Sequence, residues 1–257
     1  MIIDTHAHYD DEAFDEDREA VLLSLKEAGV GLVVNIGASM ASSERTVALT
    51  KQYPFVYGAV GVHPDSTSEL DEEKFERLRT LASEEKIVAI GEIGLDYYWD
   101  SSPREVQKYW FERQLSLALS CDLPVVIHSR EATQDTLDLM KKTYKESAGK
   151  LRGVIHCFSS GPEVAKEYTE MGFFIGVGGV VTFKNGKKMK EVVAAIPFEK
   201  LVIETDCPYL APVPNRGKRN YSGYLPRVVE EIAAIRGVTA EEVIAQTEKN
   251  ARALYRL

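Results

Sequence analysis

The stretch MIIDTHAHYD, residues 1–10, decides how this chain folds. It opens as a short apolar strand and closes on His-Ala-His. An open, doubly wound α/β sheet would normally carry a glycine-rich phosphate loop at that point. In a strand, side chains two residues apart share a face, so His6 and His8 are predicted to point the same way as a chelating pair. Working outward from residues 2–6, Val/Ile-rich runs recur near 32–37, 56–62, 87–93, 124–128, 153–157, 173–178 and 201–205. Runs of this length and composition read as parallel strands buried on both faces. Between them lie helical patterns near 14–28, 42–52, 71–82, 103–121, 133–146, 162–171 and 186–195, with 222–236 and 239–254 closing the chain. Asp71 is a predicted N-cap, Pro162 a helix opener with Gly172 as its stop, and Thr239 with Glu242 a capping box. Eight strand–helix units predict a TIM-type (β/α)8 barrel, with residues 1–257 as one domain.

Composition narrows the function classes. The chain has 44% hydrophobic and 28% charged residues and a net charge of −9. Proteins that bind duplex DNA tightly and without sequence preference neutralise many phosphates and are usually basic, so that class is set aside. No apolar run reaches the roughly 18 residues needed to cross a membrane. The N-terminus runs straight into a strand with no basic region or cleavage site ahead of it. Cys121, Cys157 and Cys207 are odd in number and show no C-x-x-C spacing, which argues against a disulfide framework and against a cysteine–zinc site. A cytoplasmic setting, without membrane contact, is expected.

The five histidines, His6, His8, His63, His128 and His156, all stand at or just past the C-terminal end of a strand-like run. Two further runs end in Glu92 and Asp206. Taken singly, each has a plain reading: a strand-end histidine is often structural, Glu92 can be a rim charge, and Asp206 can cap the next helix. Together they lie where the active sites of barrels gather, with enough ligands for two divalent cations and positions left for water and substrate. Cys207 is a poor nucleophile candidate, because no histidine is spare once the ligands are assigned. Two basic segments face the same end. KNGKKMK, with Lys184, Lys187, Lys188 and Lys190, reads as solvated surface. PNRGKRN, with Arg216, Lys218 and Arg219, directly follows Asp206 and suits phosphate contact, and Arg130 is a weaker candidate of the same kind. Tyr97, Tyr98 and Trp99 follow Glu92; they can stack on unpaired bases or pack their own loop, and both readings stay open.

IDTHAHYD, GVHPD, GEIGLDYY, LPVVIHSREA, IHCFSSG and ETDCPYLAPVPNRGKRN, in this order over essentially the whole chain, resemble the TatD-like metal-dependent hydrolases of the amidohydrolase superfamily. The resemblance implies a barrel of the metal-dependent hydrolase type with a two-cation centre. It assigns His6, His8 and Asp206 to one ion, His128 and His156 to the other, and Glu92 to both as a bridge. It makes Glu92 and Asp206 the catalytic carboxylates, with Asp206 taking the proton of an activated water. It makes His63 a phosphate-contacting histidine, which joins Arg216, Lys218, Arg219, Arg130 and Tyr97, read from the residues themselves, as the expected substrate-binding set. Mg2+, Mn2+ or Zn2+ is the expected ion, and no residue is assigned to protonate the leaving group. The implied activity is that of a deoxyribonuclease, a 3'-5' exonuclease on single-stranded DNA or RNA, with a monomer favoured. Alternatives are an ester, amide or lactone hydrolase, including one that deacylates tRNA, and a non-catalytic metal-binding or export-associated partner protein. Many superfamily relatives place a carbamylated lysine where Glu92 stands, which favours the TatD-like branch. The second serine of IHCFSSG, Ser160, departs from the family pattern beyond His156 and affects a loop.

Overall fold

A computed structural model describes all residues, 1–257. The strands are β1 Ile2–Ala7, β2 Val30–Ile36, β3 Val56–Val60, β4 Ile87–Asp96, β5 Val125–Arg130, β6 Gly153–Ile155, β7 Phe174–Val177 and β8 Leu201–Ile203. The helices are α1 Arg18–Ser24, α2 Met40–Gln52, α3 Glu72–Leu81, α4 Arg104–Cys121, α5 Thr133–Glu146, α6 Pro162–Glu170, α7 Lys187–Ala195, α8 Leu225–Arg236 and α9 Ala240–Tyr255. The strands follow one another in the order β1 to β8 in a single eight-stranded sheet. At its ends, Ala7 bridges Cys207 in parallel, His8 N–H donates to Cys207 O at 2.9 Å, and Asp206 N–H donates to His6 O at 2.9 Å. This is the (β/α)8 barrel expected from the sequence.

By compactness the chain divides into two units, Met1–Asn35 with His156–Leu257, and Ile36–Ile155. In the first, β1 is buried along its whole length. Val202 and Ile203 of β8 and Ile175 and Val177 of β7 are equally inaccessible. The C-terminal helix is fastened to this sheet by polar contacts. Asn250 donates to Phe198 O at 2.8 Å and Leu201 O at 2.6 Å, and Tyr255 Oη donates to Thr5 O at 2.9 Å. Its start carries the expected capping box between Thr239 and Glu242.

In the second unit, β3 to β6 supply Ala59, Val60, Ile90, Ile93, Val125 and Ile127, all fully buried. Truncating such a residue to alanine costs about 2–5 kcal/mol through lost burial and the cavity left behind. β4 and β5 approach so closely that a Cβ on Gly94, which has φ +149°, would lie 1.9 Å from His128 O. Only glycine fits there. Two buried glutamines on α4, one heptad apart and so on one face, reach the strand ends. Gln114 exchanges hydrogen bonds with Val62 N–H at 2.8 Å and Val62 O at 3.1 Å. Gln107 does the same with Asp96 N–H and Asp96 O, both at 2.9 Å.

The element boundaries depart from expectation where side chains take over from the ladder. β6 stops at Ile155 and β8 at Ile203, two residues short in each case. Cys157 and Asp206 beyond them are left-handed, with φ of +41° and +57°, which ends an extended strand. β4 runs on to Asp96, past the expected residue 93, because β5 pairs with it through Asp96 and Arg130. The segment 14–28 is helical only in part, with α1 flanked by tighter 3-10 turns.

Candidate metal centre

In the first unit, β1 delivers His6 and His8, the turn after β6 delivers His156, and the turn after β8 delivers Asp206. His6 Nε2 and His8 Nε2 are 3.0 Å apart. They lie 3.6 and 3.4 Å from Asp206 Oδ1, so the His-x-His pair converges on the carboxylate. The His156 ring stacks on His6 at 4.0 Å with planes 12° apart. One donor atom each from His6, His156 and Asp206 falls within 4.8 Å of the others. Burial alone would raise the Asp206 carboxyl, but the His8 hydrogen bond and the neighbouring imidazoles hold it below the usual carboxylate range.

This corner is fixed from beneath. The buried Asp4 carboxylate accepts from Thr205 Oγ1 and Ser222 Oγ, each at 2.6 Å, and from Thr205 N–H at 3.0 Å. Burial still pushes its carboxyl up to about 6. Asn220 donates to Thr205 O at 2.9 Å and Tyr209 O at 2.7 Å, on either side of Asp206. Asn35 accepts from Tyr9 N–H at 2.6 Å and donates to Asp10 at 2.9 Å, setting the loop after His8.

In the second unit, His128 stands between two carboxylates. Its Nδ1 is 2.8 Å from Glu92 Oε1 and its Nε2 is 3.0 Å from Asp96 Oδ2. Burial opposes a charge on this ring, but the hydrogen bonds to Asp96 and Glu92 outweigh it and raise the pKa to about 9. Asp96 is held down to about 2: burial works against it, and the bonds from His128 and the Trp99 and Tyr98 N–H groups prevail. His63 lies edge-on to His128, ring centres 4.2 Å apart, with Nε2 3.7 Å from Glu92 Oε1. His63, Glu92 and His128 form a second donor group spanning no more than 4.8 Å. His63, expected as a phosphate contact, is therefore placed among ligand-type side chains.

Both donor groups fit a divalent cation. Each offers imidazole nitrogens and a carboxylate within reach of one point, a set that suits Zn2+, Mn2+ and similar ions. In the second group, the charged His128 ring already fills the place of a cation.

The remaining candidates fall into distinct environments. Arg216 and Lys218 are exposed, the former with its guanidinium 4.4 Å from the Phe183 ring centre. Arg219 is engaged with Asp17 through two contacts of 2.8 and 2.6 Å and also donates to Ala13 O. Arg130 lies 3.9 Å over the ring of Tyr98, which is exposed together with Trp99. Tyr97 is half-buried, with its hydroxyl donating to Asp135 at 2.7 Å and Arg104 over its ring. Lys187 and Lys190 pair with Glu191 and Glu231, as the solvated-surface reading anticipates. The Cys207 thiol is buried and pushed far up by that burial, which suppresses a thiolate.

Sequence reading missed Asp96, Asp65 and Glu204. Glu204 is buried, accepts from Cys157 N–H at 2.5 Å, and lies 3.9 Å from His156 Nδ1. Burial pushes its carboxyl up to about 8. Its spacing of two from Asp206 in ETD was the available signal. For Asp96, the signal was the carboxylate ending GEIGLD.

Known proteins fit this geometry. The model of the TatD-related DNase family matches residues 3–256. The metal-dependent hydrolase YabD of Bacillus subtilis strain 168 is 43% identical over 257 residues, covering 100% of both chains. The 3'-5' ssDNA/RNA exonuclease TatD of Erwinia tasmaniensis is 36% identical over 251 residues, covering 95% of each. The crystal structure of the TatD homologue YJJV from Escherichia coli K12 superposes with a TM-score of 0.93 at 31% identity, covering 100% of this chain and 98% of that one. Barrel, donor groups and kinship agree: this chain belongs to the TatD family of metal-dependent hydrolases.

Proposed function

We propose that the protein is a metal-dependent nuclease that trims single-stranded DNA, and RNA with it, from the 3' end. The observation that carries this reading is the pair of imidazole–carboxylate groups, His6–His156–Asp206 and His63–Glu92–His128. The Erwinia tasmaniensis relative, named as a 3'-5' ssDNA/RNA exonuclease, supports the substrate class. Two divalent cations, Mg2+, Mn2+ or Zn2+, would lower the pKa of water and offset charge on the phosphoryl oxygens. His6, His8 and Asp206 would hold one, His128 and His156 the other, and Glu92 would serve both.

The chain's own groups have separate tasks. Asp206, kept ionised by His8 and its neighbours, accepts the proton of the attacking water at a carboxylate oxygen. Asp96 holds the His128 ring by Nε2, so that Nδ1 keeps facing Glu92. Arg216, Lys218 and Arg130 meet phosphates of the strand. Arg219, tied to Asp17, shapes the loop that carries them. His63 steers a phosphate toward Glu92. Tyr98 and Trp99, beside Tyr97, offer exposed rings to unpaired bases, which favours single strands over duplex. An odd number of cysteines without C-x-x-C spacing suits a reducing cytoplasm. No helix is long and apolar enough to cross a membrane. A monomer is proposed.

The test is digestion of end-labelled single- and double-stranded oligonucleotides with Mn2+ or Mg2+, with Glu92→Ala as control. A ladder receding from the 3' end of the single strand, absent in the variant, is expected. Turnover confined to lactones, esters or acylated amines would instead assign the chain to another hydrolase branch.

A further inference from the structure

The loop that follows Asp206 displays an apolar patch. Tyr209, Leu210 and Val213, close together in sequence, are 55%, 37% and 44% exposed. Single exposed apolar side chains are ordinary, but a cluster on the rim of a candidate site calls for a ligand. We infer that Tyr209, with Leu210 and Val213 of the same loop, is a stacking platform for an unpaired base of the substrate strand beside the Asp206 donor group. It stands on a different loop from Tyr98 and Trp99. This subsite presupposes the nuclease reading above and names side chains that would grip a base there.

The backbone under the patch is fixed at several points. Tyr209 N–H donates to Asp206 O at 2.9 Å and Asn215 N–H to Pro212 O at 2.7 Å. Asn220 Nδ2 donates to Tyr209 O at 2.7 Å, and Val213 N–H to Thr182 Oγ1 at 2.9 Å. Leu210 is left-handed, with φ +55°, a conformation that large side chains rarely adopt. Its carbonyl packs so closely on the turn after β7 that a Cβ on Gly179 would lie 2.1 Å from the oxygen. Exposed side chains on a fixed backbone lose little freedom when a ligand covers them. The Tyr209 ring also stands at the candidate metal centre. Its hydroxyl donates to Asp11 Oδ2 at 3.1 Å. Burial and then Asp11 push that hydroxyl up to about 12, with the charges of Asp206 and Asp10 adding to them, so Tyr209 lies in the field of the Asp206 carboxylate. With the hydroxyl committed to Asp11, the ring offers its face, and every base has a π-face to set against it.

Charge selects the occupant. Asp10 and Asp11 repel a phosphate at the hydroxyl end of Tyr209, so a neutral base fits there better. Farther along the same loop, Arg216 and Lys218 are exposed, the former against the Phe183 ring, while Arg219 is taken up by Asp17. Apolar side chains for a base, followed by cations for phosphates, form the composition of a single-strand track.

The test is fluorescence anisotropy in Mn2+ with a fluorescein-labelled phosphorothioate oligothymidylate, which resists hydrolysis, on the wild type, Tyr209→Ala and Tyr209→Phe. Tyr209→Ala should weaken binding roughly tenfold, as losing one stacked base does, and Tyr209→Phe, which keeps the ring, should recover most of the affinity. An abasic residue walked along the probe should cost the wild type a similar factor at one position and cost Tyr209→Ala nothing there. Irradiation of the wild-type protein with an oligonucleotide carrying iodouracil should attach the probe to Tyr209, which decides the matter should a variant fail to fold. Equal losses from Tyr209→Ala on intact and abasic probes, unchanged binding in that variant, or attachment elsewhere and not at Tyr209 overturns the platform and leaves the nuclease reading standing. A wild-type protein that neither binds nor cuts an oligonucleotide overturns both.

Discussion

The two units carry donor groups of opposite character. In the first, the His-x-His pair converges on Asp206, whose carboxyl the His8 hydrogen bond and the neighbouring imidazoles hold below the usual range. In the second, His128 is held between Glu92 and Asp96 and binds a proton tightly enough to need a pH near 9 to release it. One group is ready for a cation, and the other must first lose a charge of its own. The units thus differ in how an ion competes with protons, although the residue types are the same.

The largest expected effect tests the first group. Asp206→Asn should lower oligonucleotide turnover on the order of 10²–10⁴-fold, the usual range for losing a general base. Circular dichroism should show the fold intact. An unchanged rate with metal retained would reject the role of Asp206 and, with it, the distinction drawn between the groups.

The second group should declare itself through pH. Below about 9 the His128 ring in the folded, metal-free protein is charged, and a ligand ring must be neutral. Ion affinity at this group should therefore rise with pH, at most about tenfold per unit, and level off near the folded pKa. Calorimetry in buffers of differing ionisation enthalpy should detect about one proton released per ion at neutral pH. Asp96→Asn removes a hydrogen bond that raises the pKa, so the dependence should flatten and shift to lower pH. A pH-independent affinity in the wild type would erase the contrast.

Next in size is the aromatic loop. Trp99→Ala or Tyr98→Ala should raise KM for single-stranded oligonucleotides roughly tenfold, as losing a stacked base does, and leave a small p-nitrophenyl phosphodiester unaffected. Equal losses on both substrates would assign these rings to loop packing. Gln107→Ala should cost about 1–3 kcal/mol in urea unfolding, because it strands a buried N–H and carbonyl of Asp96. It should also reduce occupancy in the second group and spare the first. The smallest effect is expected for Arg219→Ala. The Asp17 contact is exposed, and stability should be indistinguishable from wild type, with any change confined to KM.

Much of this architecture is legible in the chain. Val- and Ile-rich runs buried on both faces have a composition that helices rarely share, so all eight strands were predicted close to where they lie. The His-Ala-His pair was visible because a strand's period of two fixes its geometry locally. Other features depend on distant partners. Nothing in GEIGLD tells that the final aspartate meets a histidine 32 residues later in sequence. Nothing in α4 distinguishes Gln107 and Gln114 from surface glutamines until the strand ends they clasp are in view. The early ends of β6 and β8 follow from the left-handed turns at Cys157 and Asp206, and a non-glycine residue gives little local sign of such a turn. The sequence marks His63 as a site residue, but its neighbours Asp65 and Asp96 emerge only in three dimensions.

Those two glutamines have a wider consequence. Each side-chain amide clasps a residue's N–H and carbonyl together, so the strand tip before His63 and the one at Asp96 are anchored from the helical layer. The backbone of each tip is thus held from the helical side, and the loop after β4 adds only the Tyr98 and Trp99 N–H groups on the Asp96 carboxylate. Loop residues beyond those two can change length or chemistry over generations while the donors stay where they are, which gives a hydrolase of this architecture a cheap route to new substrates.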